Sequence, residues 1–250
     1  MYTLKKSLGQ HFLKNEFVVD QTIAALGHHS FSNLLEVGPG GGALTRHLEK
    51  IPNIDFKTVE LDDEKIEYLE KTFPALADKI IRGSILDIPK PFQDHFTVIG
   101  NFPYNISTQI MFKMLEWKDS VDVVIGMFQK EVAQRIAAGP NNKEYGILSV
   151  LVQAFFKVEY LFDVDEQAFN PPPKVKSGVI RMTNVGNPYN IVEEKKFFHL
   201  VKTAFGQRRK QLRNPLKGLF AAEFLKEEIF TKRAENLSVQ DYVDLLSKMK

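Results

Sequence analysis

The 250-residue chain contains no cysteine. That excludes disulfides, thiolate metal centres and cysteine nucleophiles. No stretch approaches the roughly 18 apolar residues of a membrane span, and Met1 to Lys6 lack the apolar run of a secretory signal. The expected setting is the cytoplasm, with no membrane partner. Net charge is also nearly absent: 33 Lys and Arg against 31 Asp and Glu leave +2 at pH 7. Bulk charge therefore does not argue for nucleic acid; its distribution has to decide. Internal repeats and low-complexity segments are missing. What remains is ordinary for a globular protein, with 44% hydrophobic and 26% charged residues, and the length fits one full domain plus a small second one.

Apolar runs and helical spacings alternate along the first two thirds of the chain. Asn15 to Leu26 has helical apolar spacing, and Leu34-Leu35-Glu36-Val37 is a short buried strand. Gly38-Pro39-Gly40-Gly41-Gly42 follows at once, and Ala43 to Lys50 reads as a helix. A strand, a glycine turn and a helix start form a corner where backbone can approach a nucleotide closely. Gly38, Gly40 and Ala43 also fit the small positions of the dinucleotide fingerprint. Glu60 ends the next strand, about 20 residues on, where an acid accepts from ribose hydroxyls. Strands are predicted at 79–82, 96–100 and 121–128, and helices at 63–73, 106–117, 129–138 and 145–156, with Ser107 as an N-cap. The runs 158–164 and 178–183 read as a closing pair of strands. This alternation predicts an α/β fold: a doubly wound, mostly parallel Rossmann-like sheet with its ligand at the strands' carboxyl ends. Glu36–Gly42, Glu60, Ser84 and Asn101 all fall on that edge.

The most unusual stretch is Val98-Ile-Gly-Asn-Phe-Pro-Tyr-Asn-Ile-Ser-Thr108. Asn101 offers an amide oxygen that accepts from an amine. Pro103 lacks an N–H and fixes its own φ, which holds the Phe102 carbonyl extended. Tyr104 presents a flat face for stacking a base. The loop suits a planar ring bearing an exocyclic NH2, although a proline turn with a packed tyrosine has the same composition.

Composition shifts near residue 186. Gly186-Asn187-Pro188 reads as a linker, and helices are expected at 193–205, 216–230 and 239–249. The predicted division is a catalytic domain over 1–185 and a small all-helical domain over 186–250. Lys202, Arg208, Arg209, Lys210, Arg213 and Lys217 lie in one run with no acid. It is either a solvated helix face or a phosphate-binding surface.

Seven segments, in order, resemble the small-subunit ribosomal RNA adenine N6-dimethyltransferase family: 6–13, 35–40, 59–62, 100–107, 129–132, 169–177 and 205–210. The resemblance spans nearly the whole chain. It implies S-adenosylmethionine as methyl donor, no metal, and a target of two adjacent adenosines in the 3′-terminal hairpin loop of 16S rRNA, each methylated twice. It implies a monomer acting on the small subunit or its precursor. By matching position, Gln10, His11, Leu13, Gly38, Gly40, Glu60, Leu61, Ser84 and Asn101 would hold the donor. Asn101, Phe102, Pro103 and Tyr104 would hold the target adenine, with Phe169 stacked on its other face. Lys202, Arg208, Arg209, Lys210 and Arg213 would contact RNA. Two positions depart from the family: His11 stands where Asn is usual, and Ser84 where Asp is usual. Asp87 is the alternative contact to the donor's adenine. Three other readings remain open: an NAD-dependent dehydrogenase built on the glycine turn, a 23S rRNA or DNA adenine methylase, and an assembly factor whose main task is docking on immature small subunits.

Overall fold

The computed structural model describes residues 11–250. It divides into two compact units. The first comprises the described residues up to Ala133 together with Glu159–Asn184; the second comprises Gln134–Val158 and Val185–Lys250.

The first unit is built on strands β2 (Asn33–Val37), β3 (Asp55–Glu60), β4 (Ile80–Arg82), β5 (Phe96–Asn101), β6 (Val121–Gln129), β7 (Phe156–Val164) and β9 (Ser177–Asn184). They form one sheet in the order β4-β3-β2-β5-β6-β9-β7. The pairs from β4 to β6 are parallel, and β6 meets β9 antiparallel. Parallel strands are covered on both faces, so their sequences read as continuous apolar runs; Leu34, Leu35, Val98, Ile99, Val124 and Ile125 are all fully buried. Strand order reverses between β2 and β5, which opens a crevice at their carboxyl ends. A separate two-residue ladder joins β1 (Phe12–Leu13) to β8 (Phe169–Asn170), pairing Leu13 with Phe169.

Helices α1 (Glu16–Ala24), α2 (Thr45–Leu48), α3 (Asp63–Thr72), α4 (Ser107–Glu116) and α5 (Lys130–Ala137) connect the strands. Asn15 caps α1 by accepting from the Val18 N–H, and Asp62 caps α3 by accepting from that of Glu64. Two expectations need correction. The helix predicted over 43–50 shrinks to Thr45–Leu48, because Gly38, Gly40 and Gly42 all hold left-handed φ and keep the chain in turns before it. Ser107 is the first helical residue rather than an N-cap; its hydroxyl donates backwards to the Tyr104 carbonyl at 3.0 Å.

The second unit carries α6 (Ile147–Gln153), α7 (Glu194–Phe205) and α8 (Val239–Leu246), which pack on one another. The expected division at 185/186 differs in one segment. Residues 134–158 cluster here, because Val150, Leu151 and Val152 of α6 are buried against these helices. The helix predicted over 216–230 is absent as an α-helix; short 3-10 turns stand at Phe224–Lys226 and Glu228–Thr231. Leu212, Leu216 and Phe220 are buried at helical spacing. However, the N–H groups of Leu212 and Arg213 donate to the carbonyls of Lys232 and Phe230, a non-local pairing.

At the crevice, β5 approaches β2 so closely that a Cβ on Gly100 would lie 2.5 Å from the Val37 carbonyl oxygen. Backbone cannot move aside as a flexible side chain can. Gly100→Ala is expected to lower stability by about 1–3 kcal/mol, the usual cost of overpacking, and to be read as a lower melting temperature.

Candidate active site

A cavity of about 280 Å³ opens at the carboxyl ends of β2 and β5. Its wall draws on the turn after β2, the ends of β3 and β4, the loop after β5, and β1. His11, Leu13, Gly38, Gly40, Glu60, Leu61, Ser84, Asn101, Phe102, Pro103 and Tyr104 all line it. The sheet thus brings together every assigned donor-site residue within the described segment. Gln10 lies outside the described residues.

Glu60 is held by three backbone N–H groups. Gly40 donates to Oε2 at 3.3 Å, while Leu61 and Asp62 donate to Oε1 at 2.9 and 3.0 Å. Beside it, Leu61 is 55% exposed, a large apolar surface at the cavity edge. Ser84 faces the cavity and closes its own turn, its Oγ accepting from the Leu86 N–H at 3.2 Å. Asp87 is exposed and is not part of the wall. The geometry therefore favours Ser84 over Asp87 as the polar group in the pocket.

Asn101 ends β5. Its Nδ2 donates to the His11 carbonyl at 3.1 Å, which orients Oδ1 as a free acceptor. The His11 ring lies on that of Tyr104, with centroids 5.6 Å apart, and its Nδ1 donates to the Pro171 carbonyl at 2.9 Å. The Tyr104 hydroxyl bonds Ser177 at 2.5 Å, and burial pushes its pKa up. Phe102 sends its side chain into the core, edge-on to Phe128 at 5.1 Å, so only its backbone can serve the cavity.

Two assigned residues have packing or partners of their own. Phe169, which pairs with Leu13 in the β1–β8 ladder, is fully buried in the core cluster and is not part of the cavity wall. Arg208 is bound in its own unit: its Nε donates to Glu235 at 2.6 Å and its Nη2 to the Lys143 carbonyl at 2.5 Å. Lys202, Arg209, Lys210, Arg213 and Lys217 are exposed. Apart from Lys202 on α7, these residues sit in turns rather than on a helix face.

Sequence reasoning missed other wall residues. Glu36, noticed only for its position on the edge, is almost fully buried, and its Oε2 accepts from the Thr45 hydroxyl at 2.7 Å. Burial, with the nearby Glu60 adding, raises its pKa to about 8. An acid inside the apolar run Leu-Leu-Glu-Val was the available signal. Lys65 and Asp62 form a buried ion pair at 3.3 Å, and the Lys65 ammonium lies 5.0 Å from the centre of the Phe12 ring. Among the described residues, no cluster of His, Asp and Glu is arranged to hold a metal, and no helix is long and apolar enough to cross a membrane.

The wall suits S-adenosylmethionine. The side-chain-free glycine turn leaves room for the backbone to meet a ligand. Glu60 offers a carboxylate at the strand end, where ribose hydroxyls can donate, and Leu61 and Ile85 frame a flat base beside the Ser84 hydroxyl. Solved structures agree on the fold. The fold matches a dimethyladenosine transferase from Plasmodium falciparum with a TM-score of 0.82 at 24% identity, covering 96% of this chain and 99% of that one. It matches the 23S rRNA methyltransferase ErmE with a TM-score of 0.76 at 18% identity, covering 95% and 99%. Fold and site together define a Rossmann-like methyltransferase. Residues 1–250 match the family described as ribosomal RNA adenine dimethylase. The ribosomal RNA small subunit methyltransferase A of Cytophaga hutchinsonii is 49% identical over 249 residues, 98% of this chain and 96% of that protein. The protein of the same name from Bacteroides fragilis is 48% identical over 250 residues, covering 98% and 92%. The chain belongs to the ribosomal RNA adenine dimethylase family, with S-adenosylmethionine as its methyl donor, and the nicotinamide reading of the glycine turn falls away.

The Glu36 shift has a definite sign. Between the ordinary value of 4.5 and about 8 the folded state keeps a proton that the unfolded state has released. Stability from this group therefore falls as pH rises through that window, by up to about 1.4 kcal/mol per pH unit. Glu36→Gln removes the dependence. Its stability relative to the unsubstituted protein should climb from pH 5 to pH 8 and level off above, as read by urea unfolding across that range.

Proposed function

We propose that the protein transfers methyl groups to N6 of two adjacent adenosines in the 3′-terminal hairpin loop of 16S rRNA, two per adenosine. It would act as a cytoplasmic monomer on the small subunit or its precursor. The observation that carries this reading is the fixed amide of Asn101, whose nitrogen is committed to the His11 carbonyl and whose oxygen is left to accept at the cavity mouth.

The difficulty of the reaction lies in the N6 lone pair, which is delocalised into the adenine ring. S-adenosylmethionine, when bound, supplies an electrophilic methyl. Asn101 Oδ1 and the Phe102 carbonyl accept the two N6 hydrogens and favour a pyramidal nitrogen with its lone pair available. The same dipoles stabilise positive charge as it develops there, aided by the face of Tyr104. No strong base is required, because the nitrogen becomes acidic once alkylated and gives up its proton. Positioning is the main contribution, and about 7–11 kcal/mol is available from it in favourable cases. Unstacking the adenine costs a few kcal/mol, less in a loop than in a duplex; stacking on Tyr104 offsets it by roughly 1–3 kcal/mol.

Arg209, Lys210, Arg213 and Lys217 make no ion pair with any described residue, which leaves them available to rRNA phosphates. This favours docking on the subunit as a second, compatible task.

Labelled S-adenosylmethionine with purified unmethylated small subunits should yield dimethyladenosine as the product nucleoside. Asn101→Ala should abolish most turnover while donor affinity stays within a few-fold; near wild-type transfer would sink the assignment. Replacing Arg209, Lys210 and Arg213 by Gln should flatten the salt dependence of RNA binding by roughly 0.7–0.9 log units per log unit of salt for every phosphate no longer neutralised. Donor affinity should be unaffected, and an unchanged slope would return these residues to ordinary surface.

A further inference from the structure

Tyr104 is anchored from a distant part of the chain. Its hydroxyl meets Ser177 Oγ at 2.5 Å across 73 residues of sequence. Ser177 is fully buried and is the first residue of β9, where it pairs with Gln129 of β6. Asn101 pairs with Met127 of the same strand. The strands carrying Asn101 and Ser177 thus flank β6, and their partners on it are two residues apart, on one face of the strand. The Tyr104 ring spans the end of β6 between them. Its face rests on His11, whose ring nitrogen is tied to the Pro171 carbonyl. A tyrosine held only at its backbone would swing about χ1 and χ2; this one is restrained both at its hydroxyl and across its face.

We infer that Ser177 is a positioning residue for methyl transfer: its hydroxyl fixes the plane of Tyr104 so that the ring meets the target adenine at the angle Asn101 requires. Ser177 itself lies outside the cavity wall and touches neither donor nor target. It acts through the phenol. The inference rests on the assignment of Tyr104 as the stacking face. An unfixed ring would still bind the donor, whose contacts lie on Glu60, Ser84 and the glycine turn, but would present the adenine in many orientations.

The test compares Ser177→Ala, Ser177→Thr, Tyr104→Phe and the double variant Ser177→Ala/Tyr104→Phe. Methyl transfer from labelled S-adenosylmethionine to unmethylated small subunits gives kcat and KM; calorimetry gives donor affinity; melting gives stability. Ser177→Ala should lower kcat about five- to twentyfold with donor affinity changed less than twofold. Tyr104→Phe should fall in the same range, the double variant should lose no more than either single one, and Ser177→Thr should recover most of the activity. A readout free of RNA accompanies these. The ring-carbon NMR signal of Tyr104, assigned by its loss in Tyr104→Phe, should shift in Ser177→Ala and return in Ser177→Thr. Multiplicative losses in the double variant, full activity in Ser177→Ala, or an unmoved Tyr104 signal would each overturn the inference. Failure of the unsubstituted protein to methylate adenosine would instead strike the proposed function, while the NMR comparison would still report on the Ser177 contact.

Discussion

The close approach of β5 to β2 is the constraint on which the site depends. Gly100 sits where any side chain would strike the Val37 carbonyl. Only with glycine there can the loop after β5 lie beside the glycine turn after β2. That juxtaposition places a loop rich in acceptors against a turn poor in side chains, at the point where strand order reverses. Donor and target can then share one cavity. Proximity of this kind is what a reaction with a weak attacking nitrogen needs most.

Around that contact the site is stiffened chiefly by hydrogen bonds that reach back to backbone. Glu60 is locked by three N–H groups, Asn101 by the His11 carbonyl, and His11 by the Pro171 carbonyl. Asn101 in particular has one committed end, its Nδ2, and one left to accept, its Oδ1. The short β1–β8 ladder pairs Leu13, which lines the cavity wall, with the fully buried Phe169. Glu36 shows the electrostatic consequence of closure. A carboxyl taken wholly out of water beside a second one holds its proton far above the ordinary range.

Much of this was legible in the residues. Alternating apolar runs and helical spacings located the strands and most helices, because burial on two faces and burial on one face leave different periods in sequence. The polar residues at strand ends marked the edge, since parallel strands point their carboxyl ends one way. Misreadings arose where long-range contacts override local pattern. The run 216–230 has helical spacing, but the backbone just before it pairs with a segment about twenty residues later. Residues 134–158 look continuous with the sheet domain, yet α6 buries its apolar face among the other helices of the second unit. Arg208 looks like its neighbours in a basic run and is taken up by Glu235.

The sequence by itself determined the architecture, a nucleoside-binding edge and the Asn-Phe-Pro-Tyr loop, because these follow from short-range order: a glycine turn after a strand, an acid at the next strand end, and a stiff polar loop after a third. The donor class came from the ordered resemblance of seven segments to a family. Tertiary structure alone decided which aromatic faces the cavity, which cation is free, that Ser84 rather than Asp87 points inward, and that Ser177 grips Tyr104. Those outcomes turn on burial and on partners tens of residues away. Long-range partners leave no period in the chain, because which side chain covers a given residue is set by segments far away in sequence.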